Sequence, residues 1–536
     1  MAATQKPLIK FSCKAKDGEQ KPETTTKNGE TPLGKFDRRN LLVGLGGLYG
    51  AASLAANPLA FAAPATPDFK DCVNATEPNG TSINCCPPAA SNITAYVPSA
   101  ACVSRTRMSA QTFTTDSNYY RKYMKAIEKM KKLKSTDPRN FTEQANVHCA
   151  YCDGGYTQQG NPNLLYEIHG SWLFFPWHRW YLYFFEKICA NLLDDDSFAL
   201  PFWNWDDPTG MKIPNIFVND PDKSPLYDSN RNPDHLPPTV INLDWSYGDP
   251  TVDDKQQIKS NLSLMYTQMI TQSKTQTDFF GKAYRSGDDI VTLDGAGSIE
   301  LSPHNVVHSW TGTMTDPNNP IDMGALYSAG RDPIFYAHHA NVDRMWNIWL
   351  NQLGGTNFTD SDWLNSTFIF YNEEAKPVSV RVGDCLDNTK LGYTYEDVPI
   401  AWLDAKPTAR AKARTLPSAR DPAQVFPTTL EKAINVLVKR PKKSGSGSAE
   451  EILVIEGIEY DKDDVNASRP EYTEYLGNFS NVPHGHGMKV KTNRRFRITE
   501  VLKDLGVNNY ESVLVTLVPK SGPLKINGVK IEFDSS

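Results

Sequence analysis

The sequence predicts a mainly α domain, a four-helix bundle around a histidine-lined centre, followed by a C-terminal β-sandwich. Three observations predict it. Apolar residues recur at helical spacing before Asp397 and at strand spacing after residue 427. Six of the ten histidines fall in two groups on or beside the helical stretches. A segment rich in Ala, Arg, Lys and Pro, 404–427, separates the two patterns. At 536 residues the chain is too long for one core. The reading divides it into a targeting region (1–63), a helical domain (64–397), a linker (398–427) and a β domain (428–536).

The first 37 residues are rich in Lys, Thr and Glu and read as disordered. Arg38-Arg39-Asn40-Leu41-Leu42 then precedes an apolar run, Val43 to Ala56, and Ala60-Phe61-Ala62 offers a small-x-small cleavage site. That order is the layout of a twin-arginine export signal. Ser12-Cys13-Lys14-Ala15 fits the tail of an organelle transit peptide. No segment after the signal has the apolar length to insert in a membrane. Net charge is -6 with mixed signs, and no basic stripe carries interleaved aromatics, so nucleic acid is excluded as a partner.

Residues 64–105 are loop-rich and contain Cys72, Cys85, Cys86 and Cys102, out of nine cysteines in all. Disulfides are the natural staple for such a segment in an oxidising compartment. Sequons at Asn74, Asn92 and Asn478 suit the same compartment. Helical spacing begins near Asp116 and runs through Tyr123, Ile127 and Met130. A second helix is expected over His178–Leu193, with Pro176 just before it. Pro201–Thr209 reads as a packed aromatic loop, and 253–285 as containing a long helix through Ile258, Leu262, Met265 and Met269. Ser302-Pro303 opens a helix with His304 and His308, and Arg331-Asp332-Pro333 opens one with His338. Past the linker, Ile434–Val438, Ile452–Ile455, Phe496–Ile498 and Val513–Val518 read as strands, the first two flanking a basic Gly/Ser turn, Lys439 to Ser448.

The histidines carry the chemistry. His148, His169 and His178 form one group; His304, His308 and His338 form the other. Neutral imidazole suits copper, zinc, iron or nickel, and two adjacent three-histidine groups without carboxylate or thiolate ligands favour a coupled copper pair. His304 and His308 are four apart, on one face of a helix. A zinc protease would have Glu where Asn305 stands. His339 neighbours His338 and is expected to point elsewhere on the helix. Asp343 reads as a carboxylate fixing an imidazole tautomer, or as a salt-bridge partner on the helix. Cys149-Ala150-Tyr151-Cys152 lacks the second cysteine pair of a zinc site. His484 and His486, in a Gly-rich turn, read as surface residues.

HCAYC (148–152), IHGSWLFFPWHRWYLYFFE (168–186) and DPIFYAHHANVDRMW (332–346) strongly resemble plant polyphenol oxidases, the catechol oxidase and tyrosinase group of type 3 copper proteins. The resemblance covers roughly 64–536. It implies two copper ions, the first on His148, His169 and His178 and the second on His304, His308 and His338. It implies a thioether between Cys152 and His169, and disulfides Cys72–Cys86 and Cys85–Cys149. Tyr393-Thr394-Tyr395 resembles the tyrosine motif closing the family's catalytic domain. Glu300 and Asn305 would hold a water for phenol deprotonation, and Leu326 would be the gate residue over the second copper, where the family often has Phe. The expected activity is oxidation of o-diphenols to o-quinones with O2, with hydroxylation of monophenols as a second activity. A specialised oxidase of one phenolic precursor and a hemocyanin-like dioxygen carrier are the alternatives. The double arginine matches import into the chloroplast thylakoid lumen, with vacuole or secretion as the alternative. The C-terminal domain would cover the copper pocket until the 404–427 linker is cut.

Overall fold

The computed structural model describes residues 63–534, apart from 77–80, 90, 99–104, 114–116, 246–250, 291–294, 313–319, 410–417, 443–448, 464–469, 479–491 and 520. The export signal, Cys102, most of the basic turn, His484 and His486 lie outside the described residues. Residues 64–536 form one compact unit. Among the described residues no helix is long and apolar enough to cross a membrane.

Six helices frame the N-terminal region: α1 (Asn118–Lys132), α2 (Phe141–Cys152), α3 (Phe174–Leu193), α4 (Asp254–Tyr266), α5 (Asn305–Thr311) and α6 (Ile334–Gln352). α1 starts where Ser117 caps the Tyr120 N–H and buries the expected Tyr123, Ile127 and Met130. α2 was not expected. All but one of its residues are buried, so it shows no polar face and no period. α3 begins a turn earlier than its spacing suggests, because Pro176 falls in the first turn, where its missing N–H costs nothing. The long helix expected after 253 ends at Tyr266, continues as a π-helical turn, Thr267–Thr271, and resumes as the short helix Gln276–Phe280. Before α5, Ser302 breaks the helix with an extended backbone (φ -160, ψ 126), so Glu300 and His304 do not share one continuous helix.

Trp203 and Trp205 of the aromatic loop are fully buried, and the Trp203 N–H bonds to the Ala337 carbonyl of α6. Strands β1 (Arg105–Arg107) and β2 (Tyr393–Tyr395) pair in parallel, joining the two ends of the helical region. The start of the expected linker is docked rather than free: Trp402 is buried and its indole N–H donates to Asp206 at 3.0 Å.

The C-terminal region is antiparallel sheet: β3 (Thr428–Leu430), β4 (Ile434–Lys439), β5 (Glu451–Asp463), β6 (Thr492–Arg497), β7 (Ser512–Leu517), β8 (Ser521–Ile526) and β9 (Gly528–Phe533). One sheet has the order β3-β8-β5-β6, with β9 also on β5; β4 and β7 form a two-stranded sheet. Val436, Val438, Val515 and Leu517 meet Leu453, Phe496, Ile526 and Ile531 in one apolar cluster, so both sheets close over a shared core.

Candidate metal centre

Three elements bring the first histidine group together. His148 stands on α2, His178 on α3, and His169 in the turn before α3. Each ring is fixed through Nδ1: His148 to the Leu326 carbonyl at 3.1 Å, His169 to Glu167 Oε1 at 3.1 Å, His178 to the Phe174 carbonyl at 2.8 Å. A carbonyl or carboxylate oxygen only accepts, so Nδ1 carries the proton and Nε2 keeps its lone pair. All three Nε2 atoms are buried and without a hydrogen-bond partner among the described residues. The Cys152 thiol and one ring nitrogen of each histidine lie within 4.8 Å of one another.

The second group has four imidazoles, not three. His304, His308, His338 and His339 each place a ring nitrogen within 4.8 Å of the others. His304 Nδ1 bonds to the Glu300 carbonyl and to Asn305 Oδ1, both at 3.1 Å, and His308 Nδ1 to the Met323 carbonyl at 3.1 Å. His338 differs. The Trp205 indole N–H, which can only donate, points at His338 Nδ1 at 3.1 Å. Nδ1 therefore accepts, and the His338 proton sits on Nε2. His339 does not point elsewhere, as its position beside His338 suggested. Its Nε2 lies 3.1 Å from His308 Nε2, and its ring stacks on His178 at 4.1 Å and 9°. The helices α3 and α6 carry the same Phe-x-x-x-His step, Phe174/His178 and Phe335/His339. Phe174 packs 4.7 Å from His178, and Phe335 4.2 Å from His339.

Burial keeps every ring neutral. It pushes His169 and His308 down to about 3, and the other five well below their ordinary value. Among the described residues the Nε2 atoms of His148, His169, His178 and His304, which keep their lone pairs, and of His338, which carries its proton, are buried without a hydrogen-bond partner. At about 1–3 kcal/mol for each unsatisfied buried group, leaving them all unmatched would cost on the order of the whole stability of a domain. Neutral nitrogens with oriented lone pairs and no carboxylate ligand are a donor set that fits copper.

Around the rings, Glu300 is buried; its Oε1 accepts from the Gly170 N–H at 2.6 Å, while Oε2 has no partner among the described residues. Burial raises its carboxyl well above the usual range, and Glu167 adds to that. Burial likewise raises the Cys152 thiol, with Glu167 and Asp153 contributing. Leu326 is 2% exposed and belongs to none of the apolar clusters, while its carbonyl orients His148. Cys72 is bonded to Cys86 and Cys85 to Cys149.

Asp343 bonds to no imidazole. It accepts from Arg179 Nε at 2.5 Å, Arg107 at 3.4 Å, and the Tyr393 and Tyr395 hydroxyls at 2.6 Å each. Its role is to hold Arg179, the residue after His178, and so to lock α3 against α6 and the β1/β2 pair. The sequence reading also missed Glu167, Trp205 and the carbonyls of Met323 and Leu326. Backbone acceptors leave no sequence signal, and Glu167 showed only as a carboxylate two residues before His169.

A family model described as the common central domain of tyrosinase matches residues 138–352. Models for the polyphenol oxidase middle domain and the chloroplastic polyphenol oxidase C-terminal domain match 357–408 and 426–533. The chain is 48% identical to a chloroplastic polyphenol oxidase of Malus domestica, covering 98% of this chain and 93% of that one. It is 44% identical to the chloroplastic (+)-larreatricin hydroxylase of Larrea tridentata, covering 98% and 94%. The solved structure of latent apple tyrosinase superposes with a TM-score of 0.77 at 48% identity, over 83% of this chain and 100% of that one.

Proposed function

The chain belongs to the plant polyphenol oxidases of the tyrosinase family and is a type 3 copper enzyme, and from that premise we propose which of its residues hold the metals and handle the phenol. The first copper is held by His148, His169 and His178, the second by His304, His308 and His339. His339 replaces the His338 of the sequence expectation, because Trp205 keeps the His338 proton on Nε2. The observation that carries the assignment is the convergence of buried Nε2 lone pairs on His148, His169, His178, His304 and His308, each set by an acceptor behind Nδ1, with His339 Nε2 3.1 Å from that of His308.

The copper pair, when bound, supplies dioxygen binding and the two-electron redox change. The protein does the rest. Acceptors behind the rings fix their orientation. Phe174, Phe335 and the buried tryptophans exclude water from the site. Glu300 Oε2 takes the phenol proton, directly or through a water held with Asn305, and burial raises its affinity for that proton. Leu326 stands at the gate. Cys152 forms a thioether to His169, which fixes that ring from a second side. The products are o-quinones from o-diphenols, with hydroxylation of monophenols alongside.

A specialised role on one phenolic precursor is the second reading, suggested by the 44% identity to larreatricin hydroxylase over nearly the full chain. The helical region is a four-helix bundle around the coppers, with the middle segment ending in the 398–427 linker. The C-terminal sheets form a β-sandwich lid that keeps the enzyme latent, and the twin-arginine segment directs it to the thylakoid lumen. Relatives are named chloroplastic.

The test is oxygen uptake by the purified protein on catechol against tyramine, with metal analysis. Two coppers per chain and catechol turnover are expected, and Glu300→Gln should lower that turnover roughly 10²-fold or more. Zinc, or one metal per chain, would end the proposal.

A further inference from the structure

One loop orients an imidazole of each group. The Met323 carbonyl holds His308 and the Leu326 carbonyl holds His148, each at 3.1 Å. What holds the loop is therefore part of the site. Its first turn is built on Asp322, a non-glycine residue in the left-handed region (φ 48), a conformation that persists only when its surroundings enforce it. The Asp322 N–H donates to Ser328 Oγ at 2.6 Å. Its carboxyl accepts from the Asn230 amide at 2.6 Å. Asp228 in turn accepts from the Asn230 backbone N–H at 2.8 Å. The surrounding 226–236 segment is tied to the rest of the site: Arg231 pairs with Asp332 at the start of α6 at 2.6 Å, and the Asn232 N–H donates to the Thr311 carbonyl of α5 at 2.9 Å. A cavity of about 290 Å³ lies against this segment, lined by Asp228, Asn230, Pro233, Leu236 and Ile321 among others.

Asn230 thus donates to both carboxyls, one through its backbone N–H and one through its side-chain amide, and two buried acids set side by side keep a proton between them rather than both ionise. The charged groups facing the pair are Asp332, Arg231, Arg331 and Lys131. Arg231 is spent on Asp332, and Lys131 donates to the Pro225 carbonyl at 2.8 Å. Among the described residues no cation pairs with Asp228 or Asp322.

We infer that Asp228 and Asp322 share one proton, and that this proton pins the 321–328 loop and so positions an imidazole of each copper site. They are positioning residues: neither touches a histidine. The inference rests on the ligand assignment above only for its effect on copper. Burial, with Asp332 and Asp322 nearby, pushes Asp228 up to about 8, and burial raises Asp322 as well. A carboxyl whose folded value is raised contributes stability that is complete below its unfolded value and is lost as pH rises through the folded one. The loop should therefore loosen in mildly alkaline solution.

The experiment follows melting temperature, copper retention after dialysis and kcat on catechol for the copper-loaded enzyme, from about pH 6 to about pH 9, a range that spans the raised value. Wild type should lose melting temperature and copper together as pH rises. Asp228→Asn donates an amide N–H to Asp322 and needs no proton. It should flatten both curves and move the alkaline limb of kcat upward by about one pH unit or more. Asp322→Asn makes the same bond from the other side and carries the test if the first variant fails to fold. A wild type whose melting temperature is level across the range overturns the inference without any variant, as does an Asn variant that follows the wild-type curve. A melting difference without a copper difference upholds the shared proton and counts against the ligand assignment instead.

Discussion

A histidine ring has two nitrogens, and whatever bonds one of them decides what the other can do. In His308 a backbone carbonyl sits behind Nδ1 and leaves Nε2 free to ligate; in His338 an indole N–H sits there and puts the proton on Nε2. The adjacent histidines 338 and 339 are therefore not equivalent. His339→Ala is expected to halve the copper content of the purified protein. His338→Ala should keep the full complement with affinity weakened within about 10–100-fold, the usual reach of a residue behind the ligands. Metal analysis of the two variants decides it; copper halved in His338→Ala and full in His339→Ala would reverse the assignment. The His-His pair was legible in the sequence, but the choice between its members was not. Trp205 lies 133 residues away along the chain, and only folding brings its N–H to Nδ1.

At the level of elements, α3 and α6 face each other across both groups, and Asp343 is what fixes them. Burial alone would raise its carboxyl, but Arg179 and Arg107 overcome that and hold it below the ordinary range. The contribution is present at neutral pH and is lost as pH falls through the depressed value. Asp343→Ala takes the carboxylate partner from the buried Arg179 and one of two from Arg107, which keeps Glu186 at 2.9 Å, and should cost about 3–5 kcal/mol. Chemical denaturation at neutral pH measures this, and a loss under about 1 kcal/mol, the scale of an exposed pair, would contradict it. Periodicity located α1 and α3, and proline start signals located the helices of His304, His308 and His338. It missed α2, where burial on all sides erases the period, and it overran α4, whose π-helical turn continues the apolar pattern through Met269.

On the scale of the whole chain, the C-terminal sheets are tied to the helical region by a few polar contacts. Arg497 bonds to Asp278 at 2.6 Å, Glu471 accepts from Gln256 and Ser260 at 2.7 Å each, and Tyr475 bonds to Asp244. Polar contacts of this kind are those of an interface between domains rather than of a continuous core. If the lid imposes latency, cutting within 404–427 should raise turnover on catechol, and Arg497→Ala should raise the basal rate of the uncut enzyme. Assays before and after limited proteolysis check both, and equal rates throughout would exclude a covering role.

The sequence alone determined the change from helix to strand beyond residue 427 and the chemistry of two imidazole clusters. Each is written locally, in spacing and residue type. The tertiary structure decided which nitrogen of His338 carries the proton and that His339 joins the same cluster, that Asp343 serves arginines and tyrosines rather than a histidine, and that Asn230 holds Asp228 and Asp322 together behind the loop that aims His148 and His308. The reason is physical. A ring's usable nitrogen and a carboxyl's proton are set by whatever packs against them, and those neighbours come from distant parts of the chain.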